Sequence, residues 1–246
     1  MRAPFISLVL ALGLACACAL PAVAQPQQPQ GRSGDAEQPE RTFAVTLIAS
    51  GTRRLHYADT EGEHTILPPG RARTSERHPY RGSSPIRFYE WREGPDGEQV
   101  KHVLAEASFD ASLDDMLVLL HPGDAQWQRV RSFVLDDSAE AFPPNSVRVF
   151  NISLYPLACA INDERFQLGR QEQQRVRVDD GAAMLRWKIA ARIRSEWKLV
   201  RSSVSQFLPG MRQLIVVNVQ SDEDGALQLD IFPLYDRPEP TDSQRE

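Results

Sequence analysis

Short apolar or alternating stretches, separated by turn residues, fill the middle of this chain. In the first half they predict seven strands: Phe43–Ala49, Leu55–Asp59, Glu63–Leu67, Ile86–Arg92, Glu98–Phe109, Met116–Leu120 and Gln126–Leu135. Glu61-Gly62 and Gly94-Pro-Asp-Gly97 supply hairpin turns. Met116–Leu120 is apolar throughout, which marks a strand covered on both faces. The second half follows the same plan. Val147–Ser153, Leu157–Ile161, a pair near Arg165–Leu168 and Gln174–Val178, Met184–Arg194, Trp197–Phe207, Arg212–Val219 and Ala226–Phe232 are its strands. Asp179-Asp-Gly181 and Asp222-Glu-Asp-Gly225 are its turns. Ala182–Leu208 lacks internal Pro and Gly, but strand alternation describes it better than a helix does. Leu185, Trp187, Ile189, Ala191 and Ile193 take one face, and Arg186, Lys188, Ala190, Arg192 and Arg194 the other.

The two halves align as a repeat of about a hundred residues. Val45–Leu55 falls opposite Val147–Leu157, Arg87–Trp91 opposite Leu185–Ile189, and Met116–Leu120 opposite Leu214–Asn218. This predicts an all-β protein of two tandem Ig-like β-sandwiches, 41–138 and 145–237, joined near Pro143-Pro144. Trp91 and Trp187 are expected in the two cores.

The ends read differently. Residues 1–24 carry Arg2, an apolar run from Phe5 to Leu20 and Ala22-Val-Ala24, the features of a secretory signal peptide. The apolar run is short for a membrane span, so the mature chain is expected to have none. Gly13-Leu-Ala-Cys16 departs from a lipoprotein box, which leaves a lipid anchor as the lesser alternative to a free periplasmic or secreted protein. Residues 25–40, rich in Gln and Pro, form a flexible linker, and 238–246 a disordered tail. Cleavage after Ala24 leaves Cys159 as the sole thiol of three in the precursor, so no internal disulfide is expected.

The leader, Pro144-x-x-Val-Arg-Val-Phe-Asn-Ile-Ser153 and Leu208-Pro-Gly-Met-Arg-Gln-Leu-Ile-Val216 resemble uncharacterised exported bacterial proteins with two β-domains. The resemblance implies the fold and export and carries no activity. Mature length and two sandwiches also suggest periplasmic pilus chaperones, by fold analogy alone.

Formal net charge is −5. Neither half is basic enough for general nucleic-acid binding. His56, His64, His78, His102 and His121 all lie in the first half, but no metal spacing joins them, and His56 and His64 fall on opposite faces of their hairpin if Asp59 pairs with His64. No metal or other cofactor is expected. Nucleophile-elbow, Walker and dinucleotide motifs are missing. The pairs Asp114-Asp115, Asp136-Asp137 and Asp179-Asp180 sit at strand ends and read as solvated turns.

Two basic features remain. Gly70–Gly82, read as the longest irregular segment, carries Arg71, Arg73, Arg77 and Arg81 beside His78 and Tyr80, against Glu76 alone. Arginine and tyrosine on a long loop suit an anionic partner, an envelope protein or an acidic glycan. The second feature is the row Arg186, Lys188, Arg192 and Arg194, whose simplest role is edge protection. The expected function is a non-enzymatic exported binding protein of the envelope. An exported hydrolase of unrecognised type and a structural or chaperone-like periplasmic protein are the alternatives.

Overall fold

A computed structural model describes residues 39–47, 53–67, 73–124, 127–179, 183–221 and 227–236. The stretches read as a signal peptide and a tail, nearly all of that read as a linker, Arg71 and the expected Asp222–Gly225 turn lie outside the described residues.

Every regular element described is a strand. The first half contains β1 (Arg41–Leu47), β2 (Leu55–Ala58), β3 (Glu63–Ile66), β4 (His78–Tyr80), β5 (Ile86–Glu93), β6 (Gln99–Ala107), β7 (Asp115–Pro122) and β8 (Val130–Asp136). The second contains β9 (Ser146–Asn151), β10 (Leu157–Ile161), β11 (Glu164–Leu168), β12 (Gln173–Arg177), β13 (Met184–Ile193), β14 (Glu196–Gln206), β15 (Arg212–Ser221) and β16 (Leu227–Asp236). They form four sheets of four: sheet I, β3-β2-β5-β6; sheet II, β4-β1-β7-β8; sheet III, β12-β9-β15-β16; and sheet IV, β11-β10-β13-β14. Strand for strand, III repeats II and IV repeats I. In each half the first strand runs parallel to the seventh, β1 with β7 and β9 with β15, and the other pairings are antiparallel.

Alternation decides what each face covers. Phe43, Val45, Met116, Val118 and Leu120 of sheet II pack on Leu55, Tyr57, Ile66, Ile86 and Phe88 of sheet I. Val147, Val149, Ile215 and Val217 of sheet III pack on Leu157, Ile161, Leu185, Trp187 and Ile189 of sheet IV. The remaining faces of sheets II and III meet each other. Ala44, Leu117, Leu119 and Leu135 meet Phe150, Ile152, Leu214, Val216 and Leu234, with Phe142 of the connecting segment among them. The described residues therefore make one compact unit of four stacked layers, I–II–III–IV. This is why Met116–His121 and Ser146–Asn151 are buried on both sides. Each large aliphatic or aromatic side chain buried there contributes about 1.5–3 kcal/mol.

Most polar groups in the II–III contact are matched, while the buried Nδ1 of His121 has no partner among the described residues. The guanidiniums of Arg148 and Arg212 lie 4.3 and 5.0 Å from the Phe142 ring centre. Arg148 donates to the carbonyls of Asp136 and Ala141, and Arg212 to those of Asp137 and Phe142. Burial pushes the Arg148 pKa down to about 10, which still leaves it charged at neutral pH. His121 of β7 meets Asn218 of β15 at 3.2 Å.

Four expectations are corrected. The segment 70–82 is not wholly irregular: His78–Tyr80 is β4, antiparallel to β1, with Thr42 opposite Pro79. Three residues including a proline leave almost no periodic signal. In the β2–β3 hairpin Tyr57 faces His64, two positions from the expected register. The loop is Asp59–Gly62, closed by the Asp59 amide on the Gly62 carbonyl at 3.0 Å. A slip of two preserves the faces, so Leu55, Tyr57 and Ile66 still share the core. β11 and β12 do not pair with each other, because β11 joins β10 and β12 crosses to β9. Trp187 is 6% exposed, but Trp91 is 38% exposed. Ile86 and Phe88 face inward, so alternation carries Trp91, three residues after Phe88, to the outside.

Candidate functional site

The residues expected to form a basic loop are drawn into the fold. Ser75 anchors the segment to β1: its hydroxyl accepts from the Val45 amide at 2.9 Å, and its amide donates to the Val45 carbonyl at 2.7 Å. The Arg73 carbonyl accepts from Thr46 Oγ1 at 3.0 Å, and its side chain is exposed. Arg77 bridges Asp115 and Asp137, the latter at 2.5 Å. Arg81 bridges Glu40 and Glu61, each at 2.5 Å. Tyr80 is 4% exposed and donates its hydroxyl to the Ser83 carbonyl, so it belongs to the core rather than to a binding surface. His78 is half-buried with its ring 5.6 Å from that of Phe43, and burial lowers its pKa. Of the six positions, then, Arg71 is outside the described residues, two arginines are ion-paired, and two rings pack inward.

The row on β13 has a different fate. Register places Arg186, Lys188 and Arg192 on the outward face of sheet IV, while Arg194 takes a positive φ of 50° in the β13–β14 turn. Ala160 of β10 lies between Lys188 of β13 and Arg165 of β11, so Arg165 joins the same face. Ala158, Ala160 and Ala190 form the floor of a shallow groove of about 350 Å³ over β10, walled by Arg165, Gln167, Lys188 and Leu199. Neighbouring strands are about 4.8 Å apart, so the walls from β11 and β13 stand about 10 Å apart, room for one extended chain. Trp197, Leu199, Val204 and Met184 are exposed beside the cations. Among the described residues, Arg165, Arg186, Lys188 and Arg192 have no ion pair, and no outward position of β10, β11, β13 or β14 is acidic.

The sequence showed the β13 cations but not their partners in space. Arg165 could not be placed beside them without the β10–β11–β13 register. The alternating Ala158 and Ala160 within Leu157–Ile161 were the available signal for a low floor.

The remaining reactive groups are accounted for by packing. Cys159 is buried, which pushes its pKa up to about 12 and keeps the thiol protonated. Asp59 and His64 form a 2.9 Å contact, with Tyr57 stacked on the His64 ring at 4.6 Å. Burial raises the Asp59 pKa, but hydrogen bonds from the Arg81 amide, the His64 ring and the Glu61 amide outweigh it and hold the carboxyl below its usual range. That carboxylate fastens the hairpin turn. No group of three or more His, Cys, Asp and Glu residues converges as a metal site among the described residues. No protein-family model matches the chain, and no curated protein matches it.

Proposed function

We propose that this chain is an exported, non-enzymatic binding module of the bacterial envelope, built of two Ig-like sandwiches in tandem, and that it engages an anionic partner. The observation that carries this reading is the outward face of sheet IV, where four cations have no ion pair among the described residues and two of them, Arg165 and Lys188, wall an alanine-floored groove. Like charges held within a few strand widths repel, and a polyanion relieves that repulsion while accepting bidentate hydrogen bonds from the arginines. The basic segment Arg71–Arg81 is the weaker candidate, because Arg77 and Arg81 already hold carboxylates. A groove one strand wide favours an extended acidic polymer over a folded protein surface, and Trp197 offers a stacking face for sugar rings.

Retention on immobilised polygalacturonate tests the reading. The protein is retained at low salt and elutes as salt rises, since exposed charges are screened beyond roughly 8 Å at physiological ionic strength. Arg186→Ser, Lys188→Ser and Arg192→Ser together weaken binding about tenfold or more, at roughly 1 kcal/mol or less per exposed charge. Normal retention of the triple variant contradicts the assignment.

A further inference from the structure

Behind β14, on the side away from the cationic groove, the second half contains a cleft between the edges of its two sheets. β14 is the edge of sheet IV and β16 the edge of sheet III, and the two sheets part there around about 310 Å³. Trp187, Arg201, Ser203 and Ser205 line one side, and Ile231, Pro233 and Tyr235 the other. Register explains the composition. Ser205, Ser203 and Arg201 of β14 stand opposite Leu185, Trp187 and Ile189, so they face between the sheets rather than outward. The equivalent edges of the first half, β6 and β8, also border an opening, lined by Leu104, Ala105, Glu106, Val130 and Arg131, but no lining residue there carries a buried polar atom without a partner. Ala105 and Ala107 are buried there, and Ser132 Oγ donates to the Glu106 carbonyl to tie the two edges together.

The polar atoms of the cleft are mostly hydrogen-bond donors. Trp187 is more than nine-tenths buried, and its indole Nε1–H has no partner among the described residues. Ser205 Oγ is likewise buried without a partner. A buried donor left unmet costs about 1–3 kcal/mol, and an indole N–H can only donate. Inward polar residues on an edge strand discourage strand pairing. That role explains the exposed Arg201 but not a buried, unpaired indole. Add the Arg201 guanidinium, and the set calls for an acceptor with several lone pairs and negative charge, beside an apolar wall of Ile231 and Pro233.

We propose that the β14–β16 cleft is a binding site for a small carboxylate with an apolar body, its carboxylate held by Trp187, Ser205 and Arg201. This site is separate from the polymer face of sheet IV and does not depend on it.

Proton–nitrogen NMR of the four tryptophan indoles tests it, with Trp187→Phe assigning the signal. Sodium benzoate is the probe, and benzyl alcohol and sodium chloride are the controls. The Trp187 indole signal is expected to move downfield and saturate with benzoate, and to stay in place with the controls. Arg201→Gln and Ser205→Ala each weaken benzoate about tenfold, the size of one lost hydrogen bond to a charged group. The sheet IV triple variant retains benzoate binding, which separates this site from the polymer face. Overturning results are a Trp187 signal that does not move, one that moves equally with benzyl alcohol, or full affinity in both variants. Each of those results removes the carboxylate site.

Discussion

The outward faces of sheets I and IV occupy the same place in the repeat, yet they solve the problem of surface charge in opposite ways. On sheet I, Arg87 pairs with Glu106 and Lys101 with Glu63, while the Lys101 ammonium lies 4.9 and 5.3 Å from the Tyr89 and Trp91 ring centres. On sheet IV the corresponding strands carry Arg165, Arg186, Lys188 and Arg192 with no outward acid. Strand order and even the bulge recur: Phe88/Tyr89 on β5 and Ile189/Ala190 on β13 mark the same interruption of register. The fold is duplicated and the chemistry is not. Function is therefore sought where the copies diverge.

The largest effect that can break this comparison concerns the tryptophans. Trp187→Ala should cost about 3–5 kcal/mol in urea unfolding, as for a large core side chain. Trp91→Ala, on the outward face, should cost about 1 kcal/mol or less. Equal losses would mean that the two faces are not distinguished as described. Next comes the layer shared by both halves. Leu119→Ala should remove about 2–5 kcal/mol, and unfolding should remain a single transition in the variant as in the parent, because sheets II and III share one core. Two separate transitions would show that the halves melt independently.

Acidification gives a smaller effect. Burial, aided by the charge of Arg131, lowers the His121 pKa in the folded protein, with Asp230 opposing. Burial lowers that of His78 and of His56 as well. The unfolded chain takes up these protons as pH falls through about 6.5, whereas the folded chain resists them. Stability is thus fully present above about pH 6.5 and declines as pH drops below it. His121→Gln should flatten part of that decline in urea titrations at pH 7.5, 6.5 and 5.5. A profile identical to the parent's would remove His121 from the account.

The smallest effect compares the surface cations directly. Arg87→Ala loses a solvent-exposed pair and should cost about 0.2–1 kcal/mol. Arg186→Ser removes a cation whose charged neighbours on its face, among the described residues, are all cations. Melting temperature at low salt should then stay level or rise slightly. A clear loss would reveal a partner for Arg186.

Much of this arrangement was legible in the sequence. Alternation in Leu185–Ile193, the apolar run Met116–Leu120 and the Gly94–Gly97 turn each fix a local geometry, and so the strands and their repeated order followed from them. What escaped depended on distant partners. Tyr80 and His78 counted as loop residues because β4 is held by β1 and not by its own propensity. Arg77 and Arg81 counted as free because Asp115, Asp137, Glu40 and Glu61 reach them only through the fold. The cationic face was half visible: its β13 members alternate in one strand, and Arg165 enters from another.

Hydrogen–deuterium exchange with and without polygalacturonate tests the central claim most directly, since it maps both outer sheets in one experiment. The account predicts slowed exchange in residues 157–168 and 184–206 of sheet IV, removed by high salt, with residues 86–107 of sheet I unchanged. Protection on sheet I, or on the 73–82 segment in place of sheet IV, would contradict it.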